Sequence, residues 1–290
     1  MTVDIIIPTY KRASLLPETL KSVQAQIFED WRCWITEDGD SQETRDAIQP
    51  FLSDPRFAYL PGKHIGYPAA PRNRAIRMGS AQYVAFLDDD DLWLPEKLAR
   101  QVDFLERNTT CVLLGTNALR WDGVSPRENA PVYHQKISFG RIAYEKLARE
   151  NALIISSVIT RRESLIQAGL FNENLTPPVG EDYEMWLRLG ALGETCMLAE
   201  PLIIYREESD PTYYAKKTNR RAKYQIRAGI YAAALHGTTE SPSPLSLPGK
   251  ETCAALCRAE LDFYRSGPHL LDSLIRKVSG KIKQMVASSK

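Results

Sequence analysis

The chain has 290 residues, 43% of them hydrophobic, and a formal charge of +1, since 37 Lys and Arg stand against 36 Asp and Glu. This length and apolar content suffice for one large buried core with an appendage. The balanced charge argues against a nucleic acid as the main partner. The five cysteines form no Cys-x-x-Cys pair, and Cys253 and Cys257 share one face of a probable helix, which favours small buried apolar residues over metal ligands at these two positions. With neither a signal-peptide pattern nor an apolar run of roughly 18 residues, the sequence predicts a cytoplasmic protein.

Strand and helix patterns alternate through the first hundred residues. Helical spacing of apolar residues covers 14–27 and 41–52, and a Gly- and Pro-rich loop at 61–71 leads into a helix that carries Arg72. Four short apolar runs predict strands, at 3–7, 31–36, 57–60 and 83–87. The alternation predicts an α/β fold with a doubly wound, mostly parallel sheet flanked by helices.

The pattern is less regular beyond residue 98. We expect strands at 111–114, 154–159 and 202–205, and helices at 183–192 and 213–235. The predicted division is a domain at 1–236, with a nucleotide-binding half at 1–108 and an acceptor half at 109–236, followed by a linker at 237–250 and a helical C-terminal appendage at 251–290.

Four consecutive carboxylates, Asp88 to Asp91, follow the apolar run at 83–87. Carboxylates at the end of a buried strand repel one another, so either a cation lies among them or some have raised pKa values. Ligands of open α/β sheets bind beyond the carboxyl ends of strands. The run therefore predicts a hard-cation site that holds an anion such as a diphosphate.

Three more polar clusters lie at the carboxyl ends of predicted strands or just after them: Pro8-Thr9-Tyr10, Glu37 to Asp40, and Gly180-Glu181-Asp182. One such cluster is usually a solvated loop. Because the carboxyl ends of parallel strands share one edge of the sheet, we expect all four clusters to converge there.

Taken in order, the segments IIIPTYKR, EDG, RN, FLDDDDLWLPEKL and GEDYEMWLRL resemble the motifs of family 2 glycosyltransferases with the GT-A fold, over residues 2–206. The resemblance implies inverting transfer of a sugar from a nucleotide-diphosphate donor, usually a UDP-sugar, with Mn²⁺ or Mg²⁺. It also suggests a hydroxyl acceptor on a glycan or a lipid-linked glycan of the cell surface, as in polysaccharide or lipopolysaccharide synthesis.

The resemblance implies roles for individual residues around the donor. Asp38 accepts a hydrogen bond from the uracil ring, although turn formation with Gly39 is an alternative. Arg72 lies near the base and the diphosphate, or merely pairs with a surface acid. The other implied nucleotide contacts are Pro8, Thr9, Tyr10, Asp88 and Asp89. His64, in the loop before Arg72, is a further candidate for the diphosphate.

The resemblance also implies a metal site and a catalytic base. Asp90 is the direct metal ligand, and Asp88 lies nearer the ribose and shares the metal site. Asp182 is the general base, and its position at a helix start predicts a lowered pKa that keeps it charged. We expect Glu181 to point the other way and to be structural. Glu37 stands where the family more often has Asp.

From His269 onward, an apolar stripe at helical spacing is flanked by Arg276, Lys277 and Lys281. This segment is either a basic amphipathic helix in peripheral contact with a membrane, or a helix that packs on protein. Two other functions compete with glycosyl transfer: a non-catalytic nucleotide-sugar-binding protein and a phosphotransferase of the haloacid dehalogenase type. The phosphotransferase pattern places Thr or Val where this chain has Leu92.

Overall fold

The computed structural model describes residues 1–135, 139–175, 179–207, 220–237, 245 and 247–265. The first half of the chain alternates strands and helices as predicted. Its strands are β1 (Val3–Thr9), β2 (Trp31–Glu37), β3 (Phe57–Leu60), β4 (Tyr83–Phe86) and the short β5 (Leu92–Trp93). Its helices are α1 (Leu16–Gln24), α2 (Gln42–Ile48), α3 (Ala69–Met78) and α4 (Lys97–Arg107).

The second half contains more elements than the sequence predicted. The strands are β6 (Cys111–Trp121), β7 (Gly140–Ile142), β8 (Ile159–Arg161) and β9 (Glu194–Arg206). The helices are α5 (Tyr144–Arg149), α6 (Arg162–Ala168), α7 (Glu181–Gly190), α8 (Arg220–His236) and α9 (Leu247–Arg265). The strand expected at 154–159 is wrong over most of its length, since Ile155–Ser157 form a 3₁₀ turn and β8 begins only at Ile159.

One sheet joins the strands in the order β3-β2-β1-β4-β8-β6-β9-β5, with β7 paired to β9. The pairs β1–β2, β1–β4, β2–β3 and β6–β9 are parallel, while β8 is antiparallel to β4 and β6. The predicted α/β sheet flanked by helices is thus confirmed. Its parallel part brings the carboxyl ends of β1, β2 and β4 to one edge.

Helices cover both faces of the sheet, which explains why every residue of β1 is buried. One apolar cluster joins the sheet to α1 and α4, and another joins it to α3, α6 and α7. A third cluster packs α9 against α5, α7 and α8 through Cys253 and Cys257, which are buried, as predicted. The other three cysteines are buried as well.

α9 begins at Leu247, inside the segment that composition predicted as a linker, and packs on the helix that follows Gly180. The division of the chain into domains stays a prediction. The amphipathic segment from His269 onward lies outside the described residues. Among the helices that the structure describes, none combines the length and apolarity needed to cross a bilayer.

Candidate active site

The ends of β1 and β2 are fixed side by side. Pro8 and Thr9 pair in register with Thr36 and Glu37, and the backbone N–H of Asp38 donates to the carbonyl of Thr9 at 2.9 Å. Tyr10 follows directly and is partly exposed. The sequence-predicted nucleotide residues of these two strands therefore lie next to one another at the expected edge.

The Asp38 side chain is buried and binds the loop before α3. It accepts hydrogen bonds from the backbone N–H groups of Ile65 and Gly66, both at 2.7 Å, and from Nδ1 of His64 at 2.9 Å. The His64 ring is stacked on Tyr10, with centroids 4.3 Å apart and planes 10° from parallel. Asp38 thus holds three consecutive residues of this loop, His64, Ile65 and Gly66. Its contact with a nucleotide stays a prediction.

Glu37 has a structural environment rather than an open one. Its carboxylate accepts hydrogen bonds from the hydroxyls of Ser41 at 2.7 Å, Thr44 at 2.8 Å and Tyr59. Burial raises the pKa of Glu37, but these hydrogen bonds outweigh burial and lower it overall. Glu37 therefore ties the start of α2 to β3.

Arg72 is buried, with 3% of its surface exposed, and connects two distant motifs. Its guanidinium donates to Oδ1 of Asp88 and to Oε1 of Glu181, both at 2.7 Å. The expectation that Glu181 points away from the site is wrong, because Glu181 shares this cation with the acidic run. The bridge brings the end of β4 to the start of α7.

The four consecutive carboxylates have different environments. Asp91 is buried and accepts hydrogen bonds from Oγ of Ser156 at 2.5 Å and from the backbone N–H of Arg206 at 2.8 Å. Burial, reinforced by Asp90 and Asp88, raises its pKa. Burial likewise raises the pKa of Asp89 to about 7. Two of the four acids thus have raised pKa values, which is one of the two ways in which a run of buried carboxylates is tolerated.

Asp88 and Asp90 are the other pair. Asp88 pairs with Arg72 and is the more exposed, while Asp90 pairs with Arg12. The Thr19 hydroxyl donates to the backbone carbonyls of Asp89 and Asp91, both at 3.0 Å, and so fixes the backbone on either side of Asp90. This alternation directs the first and third acids to the site and the second and fourth into the protein.

Ser156 is a site residue that sequence reasoning missed. Its Oγ accepts from the backbone N–H of Asp88 at 3.0 Å and donates to Asp91, and its carbonyl accepts from the Trp93 indole at 2.8 Å. It belongs to the 3₁₀ turn whose sequence reads as an apolar strand. Two serines inside that apolar run were the available signal.

Asp182 lies in the first turn of α7. Its carboxylate accepts from the backbone N–H of Tyr183 at 2.7 Å and from the Asn151 amide at 3.2 Å. Burial first, and then the neighbouring charge of Glu181, raises the pKa of Asp182 to about 7. The predicted lowering of this pKa by the helix N-terminus is therefore wrong, because burial dominates.

Residues 4–168 match the family described as Glycosyl transferase family 2. The chain belongs to glycosyl transferase family 2. It is a glycosyltransferase, as the sequence motifs predicted, and the matched segment contains the ends of β1, β2 and β4 described above.

Two related sequences illustrate the range of similarity. Over 188 residues, the glycosyltransferase is 27% identical to the UDP-Glc:alpha-D-GlcNAc-diphosphoundecaprenol beta-1,3-glucosyltransferase WfgD of Escherichia coli, covering 64% of this chain and 69% of WfgD. An uncharacterized glycosyltransferase of Rickettsia bellii is 28% identical over 215 residues, which are 73% of this chain but 30% of that longer protein.

Solved structures show the same fold. Staphylococcus aureus TarS 1–349 in complex with UDP-GlcNAc superposes with a TM-score of 0.72 at 17% identity, covering 98% of this chain and 81% of that one. The mannosyltransferase PcManGT of Pyrobaculum calidifontis, in complex with GDP-Man and Mn²⁺, gives a TM-score of 0.58 at 17% identity, with coverages of 99% and 80%. These likenesses confirm the GT-A fold of the glycosyltransferase.

Asp88 and Asp90 carry the carboxylate chemistry that a hard divalent cation prefers, and their role as metal ligands stays a prediction. Within the described ranges, no group of three or more His, Cys, Asp or Glu side chains is arranged to hold a metal by itself. Mg²⁺ and Mn²⁺ are often bound by one or two carboxylates together with substrate phosphates. Asp88 and Asp90 would supply these carboxylates, and in this structure each pairs with an arginine, Asp88 with Arg72 and Asp90 with Arg12.

Proposed function

We propose that this glycosyltransferase uses a divalent cation to transfer a sugar from a UDP-sugar, with inversion, to a hydroxyl of a lipid-linked glycan. The observation that carries the proposal is the double salt bridge of Arg72, which joins Asp88 to Glu181. It connects the acids suited to a diphosphate and its metal with the helix turn that carries Asp182. Pro8, Thr9, Tyr10 and Asp38 border the same edge.

The nucleoside is proposed to bind beside Tyr10 and Asp38. A carboxylate selects a base with a ring N–H at its pairing edge, which uracil and guanine have and cytosine and adenine lack. The single imidazole ring between Tyr10 and Asp38 occupies a space that suits a one-ring base. The UDP-GlcNAc complex of TarS and the UDP-Glc donor in the name of WfgD support uridine.

The metal is proposed to be Mn²⁺ or Mg²⁺, bound by Asp90 with Asp88 adjacent. Such a cation stabilises the charge that develops on the departing diphosphate. Arg72 orients Asp88, because its buried guanidinium donates to Oδ1. Burial raises the pKa values of Asp89 and Asp91, which limits the repulsion between the acids. The Mn²⁺ in the PcManGT complex agrees with this assignment.

Asp182 is proposed as the general base that removes the proton from the acceptor hydroxyl as that hydroxyl attacks the anomeric carbon. A pKa of about 7 suits this role, because a base titrating near the working pH combines availability with proton affinity. One base and one displacement invert the configuration, whereas a retaining double displacement needs a second nucleophile.

The acceptor is proposed to be a glycan attached to a polyprenyl diphosphate, and the setting is the synthesis of a cell-surface polysaccharide. The support is the diphosphoundecaprenol acceptor printed in the name of WfgD, which aligns with 64% of this chain. We place the enzyme in the cytoplasm at the inner face of the membrane. The predicted basic helix after His269 supplies the peripheral contact in this hypothesis.

A transfer assay tests the proposal directly. The purified chain is incubated with UDP-glucose or UDP-GlcNAc, Mn²⁺ and a synthetic GlcNAc-diphosphate-polyprenol, and the anomeric configuration of the product is read by NMR. We expect a β-linked product from the α-linked donor, and none with Asp182→Asn. An α-linked product would refute inversion, and undiminished transfer by Asp182→Asn would reassign the base.

A further inference from the structure

The His64 ring combines two features that a nucleobase would need at this position. It is stacked face to face on Tyr10 at 4.3 Å, and its Nδ1 donates to Oδ2 of Asp38 at 2.9 Å. Nδ1 also lies 3.1 Å from the backbone carbonyl of Asp38. A flat aromatic ring with an N–H directed at the Asp38 carboxylate has the same recognition pattern as the pairing edge of uracil.

We infer that His64 occupies the base position of the donor pocket and must leave it before a uridine nucleotide can bind. This inference rests on the proposed donor site, and it assigns His64 a role in base selection that differs from the diphosphate contact suggested by the sequence. A base that only stacks, or only offers an N–H, replaces one of the two contacts. Uracil and guanine can do both and so replace both contacts, and the displacement therefore favours these bases over cytosine and adenine.

The loop around His64 is shaped by two glycines. Gly66 has φ of +79°, which a residue with a side chain rarely adopts, and the backbone N–H of Gly62 donates to Gly39 at 2.9 Å. The loop is otherwise attached at this point by the hydrogen bonds of Ile65 and Gly66 to Asp38. The His64 side chain is 49% exposed, so its ring can leave Tyr10 by rotating toward solvent, with β1 and β2 unchanged.

Calorimetric titration of UDP with Mn²⁺ into the wild type and His64→Ala tests the inference. If the open pocket is populated at about 10–30%, removing the competing ring tightens UDP binding about 3–10-fold. Pyrophosphate with Mn²⁺ has no base, so its affinity should be the same in both proteins. His236→Ala, at the end of α8 and exposed, is the matched control and should bind UDP as the wild type does.

The outcomes separate the inference from the function on which it rests. Equal or weaker UDP binding by His64→Ala, with clear binding by the wild type, overturns the inference and leaves the donor site intact. Equal tightening of UDP and pyrophosphate overturns it as well, because the effect would not concern the base. Failure of both proteins to bind UDP overturns the proposed donor pocket itself. His64→Asn, which retains a donor but cannot stack as an aromatic ring, should give an intermediate gain.

Discussion

The most informative perturbation of this structure is removal of the Arg72 guanidinium. The cation is 3% exposed and donates to both Asp88 and Glu181, at 2.7 Å each. Arg72→Met keeps most of the apolar volume and leaves two carboxylates without their shared partner. Leaving Glu181 unpaired should destabilise the fold more than leaving Asp88 unpaired, since the Glu181 side chain is 11% exposed, against 35% for Asp88.

The size of the effect follows from burial. Removing one partner of a buried ion pair costs about 3–5 kcal/mol, and partial exposure of Asp88 places this case near the lower limit, at about 3 kcal/mol. At about 2–4 °C per kcal/mol, the melting temperature should fall by about 6–12 °C. Glu181→Gln removes the more buried of the two carboxylates that Arg72→Met leaves without their partner. The double variant should therefore lose about 1–3 kcal/mol less free energy of unfolding than the sum of the losses in the two single variants.

Chemical denaturation of the wild type, both single variants and the double variant measures this coupling. Arg77→Met is the matched control, since Arg77 lies on the same helix and its contact with Glu173 is exposed, so its effect should stay within about 0.5 kcal/mol. Additive effects of Arg72→Met and Glu181→Gln, within about 0.5 kcal/mol, would refute the bridge as an energetic link between the two motifs.

Three further predictions concern catalysis. Asp182→Asn should abolish transfer and leave UDP affinity within about twofold of the wild-type value, because the base acts only in the chemical step. In the wild type, the transfer rate should fall as the pH drops below about 7, where Asp182 takes up a proton. Asn151→Ala removes a hydrogen bond to this carboxylate, so the acid limb of the pH–rate profile should move to higher pH while the rate at alkaline pH stays near that of the wild type. Ser156→Ala removes the contacts to Asp88 and Asp91 and should lower stability by about 1–3 kcal/mol and raise the KM for the donor.

An Asn151→Ala profile that superposes on the wild type would remove Asn151 from the environment of the base. Ser157→Ala is the control for Ser156→Ala, since its hydroxyl donates within the same turn to Ile154 at 2.7 Å. If both serine variants changed the donor KM equally, the turn as a whole would be responsible rather than the contacts of Ser156.

The sequence predicted the first half of the fold well because its signals are local. The apolar runs of β1 to β4 are short and separated by helical periodicity; β1 and β4 are fully buried, while the edge strand β3 is half-buried. The run at 154–159 has the same apolar character, yet Ile155–Ser157 form a turn in which the Ser156 hydroxyl binds the backbone N–H of Asp88 and the carboxylate of Asp91. β5 and β7 have two and three residues, which is too short for a periodic signal.

The sequence nominated candidate site residues but did not predict the contacts between them. The motif order located Asp88, Asp90 and Asp182, but Arg72 and Glu181 are 109 positions apart, and only the folded chain brings them together. The local argument for Asp182 considered the helix start and predicted a lowered pKa. Burial by the surrounding elements, which a sequence window does not show, raises that pKa instead.

The most direct test of the account is calorimetry of UDP binding with and without Mn²⁺, in the wild type and in Asp90→Ala. We expect Mn²⁺ to tighten UDP binding of the wild type at least about tenfold, a difference of about 1.4 kcal/mol. Asp90→Ala should lose this gain while its metal-free binding of UDP is unchanged. UDP binding that does not respond to Mn²⁺, or an undiminished Mn²⁺ effect in Asp90→Ala, would contradict the metal-assisted donor site at the centre of this account.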